Sequence, residues 1–184
     1  MEKNTQVNKK RLVLMSCCAP CSCGAIKQLA DGAVPGVGDF IVLFYNPNIY
    51  PDTEYQKRLD EQIKYCEQLG VKYAIGDYNH DAWRIAVRGF EDAPERGSRC
   101  SKCFAFRFAY ARNFAIQNGY DAVGSVFGVS RFKDQNQVDA AGRDACGEII
   151  YMPINWDEKL RISINRETDF YRQKYCGCEF SMRK

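Results

Sequence analysis

The sequence predicts an α/β domain built on a parallel sheet with helices on both faces. Three observations predict it. Short apolar runs bounded by turn residues alternate with longer stretches of helical period. The length, 184 residues, suits one domain with a real core. The composition, 46% hydrophobic and 27% charged, is that of an ordinary globular chain, which excludes disordered and fibrous classes.

The elements follow in order. Arg11 to Ser16 reads as a short buried strand, Cys17 to Cys23 as a tight turn, and Gly24 to Ala30 as a helix. Asp31 to Gly38, with three glycines and a proline, is a loop, and Asp39 to Tyr45 is a second strand. Asn46-Pro47-Asn48-Ile49-Tyr50-Pro51 is a rigid loop, because each proline fixes its own φ and restricts its predecessor.

Asp52 then caps a helix to about Leu69. Its apolar positions Tyr55, Leu59, Ile63, Cys66 and Leu69 share one face, and Gly70 ends it. Val71 to Ile75 is a third strand. Asp81 to Phe90 is helical, with Trp83, Ile85, Ala86 and Val87 as core candidates, and Glu91 to Ser98 is a charged loop. Cys103 to Asn118 forms a long helix ended by Gly119. Asp121 to Phe127 is a fourth strand, Asp134 to Arg143 a short helix, Glu148 to Met152 a fifth strand, and Glu158 to Lys174 a basic helix. The whole of 1–184 reads as a single domain, with 1–9 a flexible start. In such sheets the site lies beyond the carboxyl ends of the strands. That places the cysteine turn, the loop Asn46 to Pro51 and the segment Ser130-Arg131-Phe132-Lys133 on one rim.

The net charge, +3, permits an RNA partner without demanding one. The longest apolar runs are too short to span a bilayer, and the polar start Met1 to Arg11 does not resemble a signal peptide. The expectation is a cytoplasmic protein with no membrane partner.

Ten cysteines and one histidine set the chemistry. A reducing cytosol does not keep structural disulfides, so ten thiols point to metal or redox work. One histidine leaves His-rich zinc sites and Cys-His proteases poorly supported, so a metal here is held mostly by sulfur. Cys17-Cys18-Ala19-Pro20-Cys21-Ser22-Cys23 packs four thiols where a strand meets a helix N-terminus, whose partial positive charge favours thiolate. Cys100-Ser101-Lys102-Cys103 is a second pair. With the first group it can close a site of four thiolates, for zinc or for a [4Fe–4S] cluster alike. Cys176-Gly177-Cys178 suits either a strained, easily reduced disulfide or two further ligands. Cys66 and Cys146 read as packed thiols, and His80 as a surface or capping residue.

Two rival readings stand beside the metal. Cys18-Ala19-Pro20-Cys21 has the layout of a thioredoxin-like dithiol. A zinc-stabilised RNA-binding module would use a four-cysteine site but leaves Cys176-Gly177-Cys178 unexplained. Neither Walker A nor GxGxxG follows a strand, so nucleotide cofactors are not indicated. For RNA, Lys102, Arg107 and Arg112 share a helix, joined by Arg131, Lys133, Arg161, Arg166, Arg172 and Lys174. Tyr50, Phe127, Phe132 and Tyr171 are candidates to stack on an unpaired base. Each charge taken singly is a solvated surface residue; the group Ser130 to Lys133 beside the cysteines tilts the balance.

Five motifs occur together: Ser16-Cys17-Cys18-Ala19-Pro20-Cys21-Ser22, Tyr45-Asn46-Pro47-Asn48-Ile49-Tyr50-Pro51, Arg99-Cys100-x-x-Cys103, Ser130-x-x-Lys133, and Tyr171-Arg172-Gln173-x-Tyr175-Cys176-Gly177-Cys178-x-Phe180-Ser181. In this order they resemble the epoxyqueuosine reductase QueH family, over about Lys10 to Ser181. The resemblance implies a HUP-like α/β fold and reduction of the epoxide of epoxyqueuosine, at the wobble position of tRNA, to the alkene of queuosine. It implies a [4Fe–4S] cluster on Cys17, Cys18, Cys100 and Cys103, and a redox-active disulfide at Cys176 and Cys178. It also implies an additional metal ion, for which Cys21 is the nearest candidate. Substrate contacts would fall on Asn46, Asn48, Tyr50, Ser130, Arg131 and Lys133, on the tRNA anticodon loop. Electrons would come from a donor protein or another reductant. The chain departs from the pattern at Ser16 and Tyr50, where such proteins often carry histidine. That leaves Ser16 and Tyr50 as the proton-relay candidates. The segment after Pro153 is also shorter than usual.

Overall fold

Every strand of the sheet runs parallel, in the order β3-β2-β1-β4-β5. The computed structural model describes residues 9–182. The flexible start expected for 1–9 falls on residues 1–8, which lie outside the described residues. The central strand β1 (Lys10–Ser16) pairs with β2 (Val37–Phe44) and β4 (Ala122–Ser125), while β3 (Tyr73–Ile75) and β5 (Ile150–Tyr151) form the edges. Leu12 to Ser16 are fully buried, as a strand covered on both faces by helices requires. Ser16 stands beside Phe44, and Met15 beside Ser125. The three central strands therefore end level, and their loops open on one rim.

The helices are α1 (Ala19–Ala30), α2 (Asp52–Gln68), α3 (His80–Ala86), α4 (Ser98–Asn118), α5 (Gln135–Cys146) and α6 (Glu158–Glu167). α1 packs on α2 and α6; α4 packs on α3 and α5. The two groups cover opposite faces, as the alternation of elements predicts.

Several boundaries differ, each for a local reason. The cysteine turn is short, because α1 starts at Ala19 with Pro20 in its opening turn, where a missing N–H costs nothing. Cys21 and Cys23 thus ride on the helix. α4 begins at Ser98, which puts Cys100 and Cys103 in its opening turns. Asp52 is the first helical residue of α2, and the N-cap is Pro51. α3 ends at Ala86; Trp83 and Val87 are buried, but Ile85 is 62% exposed. The fourth strand stops at Ser125 and gives way to a 3-10 turn at Phe127–Val129. α5 runs on to Cys146, with Asp134 as its N-cap.

The largest departure is the tail. α6 ends at Glu167, not Lys174, and the chain beyond it is irregular, with a 3-10 turn at Glu179–Ser181. Its backbone groups find partners elsewhere, so a helix is not needed to satisfy them. The Tyr171 N–H donates to Glu61 of α2, the Tyr50 N–H donates to the Gly177 carbonyl at 2.9 Å, and Ile49 forms an antiparallel bridge with Cys178.

Candidate functional site

Cys17 directly follows the last residue of β1, and Cys18 is the N-cap of α1. Together with Cys21 they bring three sulfurs within 4.8 Å of one another, all buried. Among the described residues this is the one such group. The backbone beneath is pinned by Gln62 of α2. Its Oε1 accepts from the Ser16 hydroxyl at 2.5 Å and the Ser22 hydroxyl at 2.9 Å. The Asn46 amide donates to the Ser16 carbonyl at 2.9 Å. Ser16 is therefore fully buried with its hydroxyl committed to Gln62, and it does not stand at the rim as a proton relay.

The trio shares its protons unevenly. Hydrogen bonds from the Cys18 and Cys21 thiols hold Cys17 well below the usual thiol range, against burial, with help from Lys133 and Arg107. Cys18 is raised, chiefly by burial. Cys21 is pushed up to about 12, first by its bond to Cys17. The two thiols therefore favour the charged form at Cys17 over Cys18 and Cys21. Lys133 Nζ lies 3.8 Å from Cys17 Sγ.

A second sulfur group adjoins the first. Cys100 and Cys103 of α4 and Cys176 and Cys178 of the tail line a small enclosed cavity of about 20 Å3, with Asn48, Trp83, Arg107 and Lys133. The Cys178 N–H donates to Cys176 Sγ at 3.4 Å. A bond from the Cys178 thiol, and then the Lys133 charge, lower Cys176 to about 6; Cys178 is raised in return. Burial raises Cys103. Gly177 is required between them: its φ is +107°, and a Cβ there would meet Ile49 Cγ1 at 2.8 Å. Arg58 holds the same turn, donating to the carbonyls of Tyr175 and Cys176 at 3.2 Å each. Its own charge is paired with Glu54 at 2.6 Å, and both side chains are buried.

A cleft of about 720 Å3 opens onto the trio. Cys21 is the cysteine on its wall, beside Ser130, Arg131, Phe132 and Lys133. Arg161, Arg166 and Arg172 line the far side. Gln173 forms part of the wall, and its amide donates to Cys18 at 3.0 Å and to Cys21 at 3.5 Å. Lys133 borders both this cleft and the small cavity.

The sequence candidates separate into two sets. Ser130, Arg131 and Lys133 line the cleft. Asn46, Asn48 and Tyr50 do not line it. Asn46 is buried and accepts from Arg107, Asn48 lines the small cavity, and Tyr50 stacks on His80 with centroids 5.2 Å apart. His80 is neither cap nor surface residue: Asn79 caps α3, and the His80 ring is packed between Tyr50 and Trp83. Phe127 and Arg107 are fully buried, so neither reaches RNA as the sequence reading allowed. Gln173, Arg58, Gln62 and the counter-charge role of Arg107 were missed. Arg107 lies one helical turn after Cys103 on α4, and that spacing was the available signal.

The donors fit a sulfur-bound metal group. The trio is all thiol, with no histidine or carboxylate in the set, which selects iron–sulfur or zinc over harder ions. A depressed thiolate and two nearby cations favour the charged ligand form.

Known proteins match this architecture. A family model described as Epoxyqueuosine reductase QueH matches residues 12–184. Curated proteins called epoxyqueuosine reductase QueH are similar along nearly the whole chain. The one from Histophilus somni is 38% identical over 180 residues, 94% of this chain and 72% of its own length. The one from Haemophilus influenzae is 37% identical over 180 residues, with the same shares. The one from Acinetobacter baylyi is 36% identical over 183 residues, 96% of this chain and 82% of its own. Among solved structures, the U34-tRNA thiolase NcsA from Methanococcus maripaludis, with its [4Fe–4S] cluster, superposes with a TM-score of 0.57 at 14% identity. The match covers 99% of this chain and 64% of that longer one, and it shows a shared fold.

Proposed function

This chain belongs to the epoxyqueuosine reductase QueH family, an oxidoreductase family of tRNA modification, and from that premise we propose how its residues perform the reduction. The substrate is epoxyqueuosine in the anticodon loop of a tRNA. The epoxide takes up two electrons and two protons, gives the alkene of queuosine, and releases its oxygen as water.

The observation that carries the reading is the buried trio of Cys17, Cys18 and Cys21 at the foot of a basic cleft. Cys17 and Cys18, with Cys100 and Cys103 from α4, are the proposed ligands of a [4Fe–4S] cluster. What supports their joining is that Lys133 and Arg107 act on Cys17 and Cys103 alike. When bound, the cluster supplies single electrons and a Lewis-acidic iron. Cys21 faces the cleft, which makes it the candidate ligand of an additional metal ion.

The chain's own residues then have distinct tasks. Arg131, Arg161, Arg166 and Arg172 neutralise phosphates of the RNA, and Phe132 stacks on a splayed base. Gln173 screens the trio from the cleft and orients Cys18 and Cys21. Lys133 holds positive charge at Cys17 Sγ. Cys176 and Cys178 cycle between dithiol and disulfide, returning two electrons per turnover and drawing them from an external dithiol or a donor protein. Tyr50 stacks on His80 away from the cleft, which disfavours it as the proton relay, and Asn48 contacts the sulfur cavity instead of the base.

A thioredoxin-like use of Cys18 and Cys21 is disfavoured. An attacking thiol of that kind needs a lowered pKa, whereas both are raised and the lowered one is Cys17. No helix of the described residues is long and apolar enough to cross a membrane. The cytoplasmic location we propose rests on the tRNA substrate.

Anaerobic purification with an absorption spectrum and iron and sulfide assays tests the reading. About four irons and four sulfides per chain, with a broad band near ~400 nm, is the expected result. The protein then converts epoxyqueuosine-tRNA. Stoichiometric zinc without sulfide would overturn the electron-transfer reading and leave a zinc-stabilised RNA-binding module.

A further inference from the structure

One phenyl ring, Phe127, carries two cations. The Arg107 guanidinium carbon lies 3.8 Å from the ring centroid and Lys133 Nζ lies 5.7 Å from it. Arg107 is fully buried and Lys133 half-buried. Among the described residues, no carboxylate forms an ion pair with either. Arg107 is held by neutral acceptors, the Tyr45 carbonyl at 3.2 Å and the Asn46 side-chain oxygen. The one polar side-chain partner of Lys133 is Cys17 Sγ.

Two further buried cations stand near the sulfurs: Arg99, which spends its donors on the Glu91 and Ala93 carbonyls and the Ser181 hydroxyl, and Arg58. By contrast, Arg58 has a carboxylate, Glu54, at 2.6 Å. Two like charges beside one ring repel each other strongly in a medium of low dielectric, and burying either alone is costly. The ring's face offsets part of that cost but holds no net charge. The remaining anions at hand are the sulfurs. Lys133 and Arg107 border the cavity of Cys100, Cys103, Cys176 and Cys178, and Lys133 also touches the trio.

We propose that Arg107 and Lys133 are positioning residues that form a built counter-charge for the multiply negative group the sulfurs hold. They stabilise the form carrying one more electron and so raise its reduction potential. This inference rests on the cluster reading above, but it is separable from it. Nothing in ligand number or spacing requires a paired cation on Phe127; the observation behind it is two cations on one ring with no carboxylate paired to either.

The test is a midpoint potential measured by anaerobic spectroelectrochemical titration, without tRNA, on the intact protein and on Arg107→Gln, Arg107→Lys and Lys133→Met. Iron and sulfide assays accompany each sample. Arg107→Gln and Lys133→Met are expected to keep their iron and become harder to reduce. The expected size is roughly tenfold in the one-electron equilibrium, about 59 mV more negative. Arg107→Lys, which keeps the charge, returns most of the shift. If Arg107→Gln fails to fold, Lys133→Met on the outer loop decides alone. Iron retained with an unmoved potential overturns the inference and leaves the cluster reading standing. Iron lost from folded Lys133→Met overturns it in favour of a purely structural part. A wild-type protein without iron overturns both.

Discussion

Arg58 donates from the middle of α2 to the carbonyl of Cys176 at 3.2 Å, across 118 residues of chain. The same guanidinium pairs with Glu54, whose other oxygen accepts from the Tyr171 hydroxyl at 2.7 Å. One buried ion pair thus fixes the segment that carries the CGC turn. Removing half of it strands a buried carboxylate. Arg58→Ala should cost roughly 3–5 kcal/mol of stability, read as a lower denaturant midpoint. Limited proteolysis should find the first new cuts after Thr168. An unchanged midpoint would mean that Glu54 and the tail do not depend on this pair.

Cys176→Ser separates electron relay from metal binding. With the relay role, the variant retains its iron and its first turnover, and loses multiple turnover by at least tenfold with a dithiol reductant. Iron content that falls in parallel with activity would make Cys176 a ligand instead. Cys17→Ser is the companion: it should lose the iron outright, because Cys17 is the sulfur of the trio whose charged form is most favoured.

The CGC pair shares one proton, so it titrates as a unit. Cys176 is lowered to about 6, first by the bond from the Cys178 thiol. In reduced protein, alkylation of Cys176 should therefore be half-maximal near pH 6, while Cys178 stays unmodified until far higher pH. The sign for stability follows. Below pH 6 both folded and unfolded forms keep this proton. Between there and the unfolded value of about 8.5, the folded form has lost it and the unfolded form has not. The contribution of Cys176 therefore rises with pH through that window and is lost as pH falls through 6. Peptide mass spectrometry after a pH series of brief iodoacetamide pulses reads the midpoint; one near 8.5 would refute it.

RNA binding through the basic cleft should weaken as salt rises, because neutralised phosphates release counterions. Arg131 and Arg166 are exposed on the cleft wall and are free to act this way. Arg131→Ala and Arg166→Ala should each flatten the log–log salt slope by about 0.7, the value for one single-strand phosphate contact, with melting temperature unchanged. A slope equal to wild type in both would move the RNA to another face.

The alternation of apolar runs and helical stretches by itself determined the parallel sheet, since a strand buried on both sides has to be apolar throughout and its crossover has to be helical. The cysteine spacing likewise pointed to a sulfur-lined site, and Cys17 and Cys18 follow the strand end where such a sheet opens. Two kinds of information were not local. The irregular tail has the polar, basic pattern of a surface helix, and only the acceptors and donors of α2 and the Asn46 to Pro51 loop decide its path. Arg107 reads as one more basic residue of a helix exposed to RNA, and only the packing of α4 on Phe127 turns it inward. In both cases the deciding energy is desolvation: a backbone N–H or a guanidinium takes whatever partner the assembled fold presents, and that partner lies dozens of residues away.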